Sequence, residues 1–223
     1  MTNLAYLHPL PFGPGDRLTL KEFLEAWESA PELKFAELLD GVVHMPSPVS
    51  MEHGNYDYMV HGWGYHYQSR CPMVQGAVNG TWLMLQSAPQ PDFALRLLPE
   101  FGGQVQNEHG LAAGVPELIV EVTRSSRTYD LGPKLSLYER ARVPEYLAAI
   151  VQERRLEWRV LREGRYEMLQ PDANGVYKSN IFPGLWLSEA AFWRLDIPGV
   201  LATLEQGLQS PEFAGFQAQS RTR

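Results

Sequence analysis

Two carboxylates and one lysine are the side chains of this sequence whose types and spacing could support chemistry. Glu121 lies in an apolar run, residues 117–122, that predicts a strand buried on both faces. A carboxylate buried there must be paired, protonated or bound to a metal. Asp92 follows a proline and precedes a second strand-like run, 93–97, and Lys134 lies on a predicted helix. Together these groups are what a metal-dependent phosphodiesterase requires.

Mg²⁺ or Mn²⁺ is the cofactor that this chemistry predicts, because such an ion neutralises a phosphate and activates a water molecule. We expect Asp92 and Glu121 to bind it, with the backbone carbonyl of Val122 as a further oxygen ligand. Both side chains can reach one ion only if their strands are adjacent and the side chains leave the same end of the sheet. Lys134 would then hold the attacking water or stabilise negative charge on the phosphate, since a helix that follows a strand begins above the strand's carboxyl end.

Each of these residues also has a structural interpretation. Asp92 could be a turn residue after proline. Glu121 could form only a buried ion pair, with Arg124 or Lys134, and Lys134 could be an ordinary exposed lysine. His53 could contact phosphate or a partner, or it could be a hydrogen-bonded structural histidine.

Other common sites are not predicted. A zinc site at His53, His61 and His66 is disfavoured, because positions 61 and 66 are about 140° apart on a helix and no cysteine accompanies them. Tyr138 and Trp186 are most simply core residues. The sequence contains no phosphate-binding glycine loop, no His-Glu-x-x-His motif and no Gly-x-Ser-x-Gly elbow, which argues against the nucleotide-binding, metalloprotease and serine-hydrolase classes.

The composition predicts one α/β domain in the cytoplasm. The 223 residues, 44% of them hydrophobic, are enough for a sizeable core. We expect neither a secretory signal nor a membrane partner, since the first residues lack a basic start and no run approaches the ~20 apolar residues that span a bilayer. The single cysteine, Cys71, suits a reducing compartment.

The net charge of −7 argues at first against a nucleic-acid partner. Residues 121–165, however, contain ten basic and seven acidic side chains, a net charge of +3. This basic excess surrounds the predicted site, although the arginines could equally be solvated faces of a helix and a hairpin.

Local patterns predict the elements of the N-terminal half. Residues 1–18 predict an extended lead-in to a domain at 19–205. Thr19 and Glu22 form a capping box that begins a helix of about ten residues. Asp40-Gly41 predicts a tight turn between two short strands. A further helix is predicted from one apolar face, made of Tyr56, Met59, Val60, Trp63 and Tyr67.

In the C-terminal half, residues 73–98 predict strands and 99–116 a long, glycine-punctuated loop. Asp130 is expected to be the N-cap of the helix that contains Lys134, with Pro133 in its first turn. Further elements are predicted as strands at 145–151, 156–161 and 166–169 and a short helix at 189–195. Residues 206–223 are expected to be a disordered tail.

These motifs, in this order, resemble the PD-(D/E)XK nuclease superfamily, because Pro91-Asp92 is followed by Glu121-Val122-Thr123. A closer resemblance is to a large bacterial family of restriction-endonuclease-like proteins in which the lysine has moved from the strand to the following helix. It covers about residues 19–195. Its further signatures are Glu37-Leu38-Leu39-Asp40-Gly41, Met45-Pro46-Ser47-Pro48 with His53, Asp130 with Lys134 and Tyr138, Val143-Pro144-Glu145-Tyr146, and Phe182-Pro183-Gly184-Leu185.

The resemblance implies a restriction-endonuclease-like fold, a mixed central β-sheet flanked by helices. It implies that Asp92 and Glu121 are the metal-binding carboxylates and that Lys134 is the displaced lysine. Glu37 would be an acidic residue near the metal. The chain departs from the superfamily pattern at Thr123, where the strand lysine usually stands.

The sequence therefore predicts a metal-dependent endonuclease that hydrolyses DNA phosphodiester bonds, with RNA or branched DNA left open as substrates. The alternative is a catalytically decayed DNA- or protein-binding module of the same fold, which the acidic net charge and the missing strand lysine favour. A third reading is a hydrolase of a non-nucleic phosphoester. A homodimer would suit double-strand cleavage, and isologous dimers are the commonest assembly.

Overall fold

The computed structural model describes residues 10–30, 33–45, 48–124 and 126–219. The helices are α1 Leu20–Glu28, α2 Met51–Arg70, α3 Arg127–Tyr129, α4 Leu135–Ala141, α5 Glu189–Trp193, α6 Ile197–Leu208 and α7 Pro211–Gln219. The strands are β1 Glu37–Leu39, β2 Val42–His44, β3 Val74–Val78, β4 Trp82–Leu83, β5 Phe93–Leu97, β6 Gln106–Glu108, β7 Leu111–Ala113, β8 Leu118–Thr123, β9 Glu145–Ile150, β10 Arg155–Arg162, β11 Arg165–Met168, β12 Val176–Lys178 and β13 Trp186–Ser188.

A mixed six-stranded sheet forms the centre of the fold, in the order β11-β10-β9-β8-β5-β3. β8 and β9 are parallel, and the other neighbouring pairs are antiparallel. α2, α5, α6 and α7 contribute to the core cluster on one face of the sheet, and α4 to the cluster on the other. Because β8 and β9 are buried along their whole length, they lack the polar alternation of a solvent-facing strand. The predicted fold class is confirmed.

Several local predictions are confirmed. Thr19 and Glu22 form both hydrogen bonds of the capping box at the start of α1. Asp40 and Gly41 have φ angles of 50° and 77°, as a tight hairpin turn between β1 and β2 requires. The five apolar residues predicted to share one face of α2 are all buried.

Gly64 weakens α2 as a helix but lets β5 approach it closely. A Cβ atom at Gly64 would lie 2.2 Å from the Phe93 ring, which is itself buried. The contact between α2 and the start of β5 therefore depends on a residue without a side chain. Asp92 is the residue that immediately precedes this contact.

The prediction of a plain loop at residues 99–116 is wrong. A short 3-10 helix, Pro99–Phe101, is followed by β6 and β7, which form a hairpin and join β4 in a three-stranded sheet. His109 and Gly110, with φ angles of 52° and 88°, make its turn. β6 and β7 were not predicted because none of their residues is fully buried, so their sequences lack an alternating apolar pattern.

The disorder predicted from residue 206 is also corrected, because the chain is helical through the end of α6 and all of α7. Phe213 lies in the main core with its ring 5.9 Å from that of Tyr67, and the partly buried Phe216 packs against the same core, so two aromatic rings anchor α7. Residues 220–223 lie outside the described residues, as do residues 1–9 of the predicted lead-in. The rest of the lead-in is attached to the fold, since the Phe12 ring stacks on that of Phe23 at 5.1 Å.

Candidate active site

Lys134 lies at the centre of a buried cluster of charged side chains. Its Nζ atom is 2.9 Å from Oε1 of Glu121, 2.9 Å from Oε1 of Glu37 and 3.7 Å from Oδ1 of Asp130. Only 5% of Lys134 is exposed. Burial alone would lower the pKa of the lysine, but Glu121 and Glu37 outweigh it and raise the pKa well above its ordinary value. The side chain is therefore a charged ammonium held between carboxylates. The alternative, that Lys134 is an ordinary exposed lysine, is wrong.

An irregular helix brings this ammonium to the sheet. α3 begins at Arg127, so Asp130 lies inside the helical segment and the prediction that it is the N-cap is wrong. Residues 130–134 widen into a π-helix around Pro133, which has no N–H and whose ring excludes the carbonyl of the preceding turn. Asp130 is instead buried, accepts a hydrogen bond from the Ser126 hydroxyl and helps to surround Lys134.

Glu121 points from β8 toward the helix that contains Lys134. Successive strand residues face opposite sides, and Glu121 shares its side with Ile119, which packs in the cluster that includes α4. Tyr138 from α4 donates a hydrogen bond of 2.9 Å to Oε1 of Glu121, so this tyrosine belongs to the site as well as to the core. The alternative ion pair of Glu121 with Arg124 is not formed, since Arg124 pairs with Glu52.

Asp92 lies beside Glu121 at the end of the neighbouring strand. Phe93 pairs with Val120 in the antiparallel ladder of β5 and β8, which places Asp92 next to Glu121. The backbone N–H of Val122 donates to Oδ2 of Asp92 at 2.7 Å. The two strands are thus adjacent, as a shared ion would require.

Glu37 reaches the same cluster from the β1–β2 hairpin. Besides its ion pair with Lys134, its Oε1 atom accepts a hydrogen bond of 2.6 Å from the backbone N–H of Gln90. This bond ties the hairpin to the segment that leads into Asp92. The four side chains predicted from the sequence are therefore brought to one place by β1, β5, β8 and the helix.

α2 adds His53, Asp57 and His61 to the site, and of these only His53 was considered from the sequence as a possible contact to phosphate or a partner. His53, Asp57 and Asp92 each offer one ligand atom, and these atoms all lie within 4.8 Å of one another. Nε2 of His61 donates to the backbone carbonyl of Asp92 at 3.0 Å. His66 faces elsewhere and contacts Glu205. Positions 53, 57 and 61 follow each other by one helical turn, and this spacing is the signal that could have found them.

Charge repulsion and burial act on the acidic groups of the site. Burial raises the pKa of Asp92 to about 6, although Lys134 and the Val122 N–H oppose it. The pKa of Asp130 is likewise raised to about 6 by burial, against the pull of Lys134. Burial lowers the pKa of His53, so its imidazole is neutral at pH 7.

The raised pKa values predict that the metal-free protein loses stability as the pH rises from about 4 to about 6. Both folded-state values exceed the ordinary 3.8 of an aspartate, so the folded protein binds more protons than the unfolded chain in this window. The contribution of each carboxyl to the free energy of unfolding should fall by at most about 3 kcal/mol.

Urea unfolding in the presence of EDTA, at several pH values across this window, measures the effect. Asp92→Asn keeps an oxygen for the Val122 N–H and should show a smaller fall than the wild type. Asp40→Asn, at an exposed aspartate, serves as the matched control and should follow the wild type. An unfolding free energy that rises equally in all three proteins would contradict the assignment.

The family comparison places the chain among proteins of nuclease type. Residues 20–190 match the model of the Uma2 family, described as "Putative restriction endonuclease". The chain belongs to this family. A crystal structure titled as a putative nuclease belonging to DUF820 from Anabaena variabilis ATCC 29413 is similar, with a TM-score of 0.62 and 15% identity over 80% of this chain and 98% of that chain. No curated protein matches.

Membership of the Uma2 family confirms the resemblance to the PD-(D/E)XK superfamily and supports a nuclease-like role. The matched range contains all four side chains predicted for the site, Glu37, Asp92, Glu121 and Lys134. Within the described parts of the chain, no helix combines the length and the apolar character needed to cross a bilayer.

Proposed function

We propose that this Uma2 protein is an endodeoxyribonuclease that uses Mg²⁺ or Mn²⁺ to hydrolyse DNA phosphodiester bonds. The observation that carries the proposal is the contact of Lys134 with Glu121 and Glu37 beside Asp92. A lysine supplied by the helix thereby stands in for the strand lysine that Thr123 replaces. The description of the Uma2 family as a restriction endonuclease family supports the same activity.

The donor atoms of the site fit a divalent cation. Carboxylate and carbonyl oxygens are the ligands that Mg²⁺ and Mn²⁺ prefer, and Asp92 and Glu121 provide the carboxylates. Val122 would add its carbonyl, since the N–H and C=O of one strand residue point to the same side and this N–H faces Asp92. A bound ion supplies charge neutralisation at the phosphate and acidifies a bound water.

The electrostatic balance of the site also favours a cation. Five carboxyl groups interact there, and the ammonium of Lys134 offsets only part of their charge. They are those of Glu37, Asp57, Asp92, Glu121 and Asp130. Burial and the neighbouring carboxylates raise the pKa values of Asp92 and Glu121, which opposes the ionised forms that a metal requires, and a further positive charge would lower both values.

The protein side chains have separate roles in this proposal. Lys134 provides a fixed ammonium for the negative charge that develops on the phosphate or for the attacking water. Glu37 and Tyr138 position it, the first through an ion pair and the second through Glu121. Asp130 contacts the same ammonium, with its Oδ1 atom 3.7 Å from Nζ of Lys134.

The substrate is proposed to be DNA in the cytoplasm, with RNA as the competing substrate. The basic excess of residues 121–165 is the sequence feature that favours a polyanion. A homodimer would allow two sites to act on the two strands of a duplex.

Cleavage of supercoiled plasmid, single-stranded DNA and RNA with added Mn²⁺ tests the proposal. Asp92→Asn and Glu121→Gln should each lower the rate by roughly 100-fold or more, because the ion supplies several kcal/mol of stabilisation. Glu25→Gln, at an exposed glutamate of α1, is the control and should cleave like the wild type. Equal activity of the wild type and either site variant would reject the assignment.

A binding module without catalysis is the second candidate, and the closure of the site favours it. Lys134 and Glu121 are almost completely buried and neutralise each other. Calorimetric titration separates the two functions, since a decayed site should release no Mn²⁺-dependent heat. Heat that disappears in Asp92→Asn would support the nuclease.

A further inference from the structure

α2 presents two potential metal ligands to Asp92. His53 and Asp57 are separated by one helical turn and therefore lie on one face of α2. Their ligand atoms and that of Asp92 are within 4.8 Å of one another, close enough to bind a common ion. The cluster combines one imidazole nitrogen with two carboxylate oxygens, a donor set that differs from the oxygen ligands of the two strands.

The Asp57 carboxylate has an oxygen atom that could bind a cation. Its Oδ1 atom is buried and has no hydrogen-bond partner among the described residues. Oδ1 lies 3.0 Å from Nε2 of His61, but only the contact of that nitrogen with the Asp92 carbonyl has hydrogen-bond geometry. A metal ion at Oδ1 would therefore add to the ion pair with His61 without displacing a hydrogen bond.

The contacts of Asp92 and Glu121 show where a cation could lie. Oε1 of Glu121 already accepts hydrogen bonds from Lys134 and Tyr138. Asp92 uses Oδ2 for the Val122 N–H, and this bond leaves Oδ1 available. The His53 ring forms no hydrogen bond within the described parts of the chain, so it too is available. The possible metal-ligand atoms that make no hydrogen bond therefore lie on the side of Asp92 that faces α2.

We propose that His53 and Asp57 bind a divalent transition-metal ion together with Asp92. The inference rests on the proposed function, because Asp92 is a ligand in both, and it adds two ligands from α2 to those of the strands. A nitrogen ligand favours Mn²⁺ over Mg²⁺, since imidazole suits transition metals and Mg²⁺ prefers oxygen. The site should therefore discriminate between the two ions, which carboxylates alone would do poorly.

Electron spin echo spectroscopy of Mn²⁺ added to the EDTA-stripped full chain tests this directly. The wild type should show the nuclear modulation of a coordinated ¹⁴N atom, and His53→Gln should lose it. The Mn²⁺ affinity, measured by titration, should fall roughly tenfold or more in His53→Gln and in Asp57→Asn. The preference for Mn²⁺ over Mg²⁺ should shrink in His53→Gln.

His66→Gln is the matched control, because His66 lies on the same helix but contacts Glu205. It should keep both the modulation and the affinity. Wild-type protein labelled with [¹⁵N]histidine gives a second measurement that does not depend on the folding of a variant, since the modulation frequency must change if imidazole coordinates the ion.

The readouts separate this inference from the proposed function. Mn²⁺ bound without nitrogen modulation, or unchanged binding in His53→Gln, would overturn the inference while DNA cleavage could still stand. Nitrogen-coupled Mn²⁺ in a protein that cuts no nucleic acid would support the inference and reject the nuclease. A wild type that binds no Mn²⁺ would overturn the inference.

Discussion

Replacement of Lys134 by methionine should destabilise the fold by roughly 3–5 kcal/mol, because it leaves buried carboxylates without their counter-charge. Lys134 contacts Glu121 and Glu37 at 2.9 Å each, and the Glu121 side chain is only 2% exposed. Methionine keeps the length and most of the volume of lysine, so the loss is one of charge and hydrogen bonds. Urea unfolding followed by circular dichroism measures it.

A double-mutant cycle tests whether Glu121 is the group left unpaired. Glu121→Gln combined with Lys134→Met should recover part of the lost stability, since the second substitution removes the uncompensated charge. Lys21→Met, at a lysine whose side chain is 83% exposed, should change the stability by less than about 1 kcal/mol. A loss below about 1 kcal/mol in Lys134→Met would show that the ion cluster contributes little to the fold.

The second large effect is expected at Glu145, in the Val-Pro-Glu-Tyr signature. This carboxylate is fully buried and accepts four hydrogen bonds, from the Trp158 ring, the Ser179 hydroxyl and the backbone N–H groups of Asn180 and Ile181. Glu145→Ala should lower the free energy of unfolding by about 3 kcal/mol or more, because several buried donors lose their acceptor at once.

Glu145→Gln keeps part of these contacts and should be less destabilised than Glu145→Ala. Glu167→Ala, at an exposed glutamate of β11, is the matched control and should remain close to the wild type. Any nuclease activity of the wild type should persist in both Glu145 variants at temperatures where they are folded, since Glu145 joins β9 to the 179–182 segment and has no part in the proposed site. A stable Glu145→Ala protein would show that these donors find other acceptors.

Local structure was predictable wherever its cause is local. The capping box of α1 and the Asp40-Gly41 turn depend on residues within one turn of the chain. The buried face of α2 follows from helical periodicity, even with three glycines in the helix. The apolar run around Glu121 was sufficient to predict a buried strand that contains a charge.

Elements stabilised by distant contacts were not predictable in the same way. β6 pairs with β7, which in turn pairs with the distant β4, and α7 is attached to the fold because Phe213 enters the main core. The helical segment that contains Lys134 begins earlier in the chain than predicted, because Asp130 resembles an N-cap. The π-helical widening at Pro133 has no local sequence signature.

The residue types of the site were visible in the sequence, and their grouping was not. A carboxylate in an apolar strand already predicted a partner, because burying an unpaired charge costs free energy. Which partner it obtained depended on the register of β5 against β8 and on the docking of two helices, which brought Lys134 to Glu121 and placed Asp57 near Asp92. Such convergence arises from contacts between residues far apart in the chain, and local patterns contain no information about it.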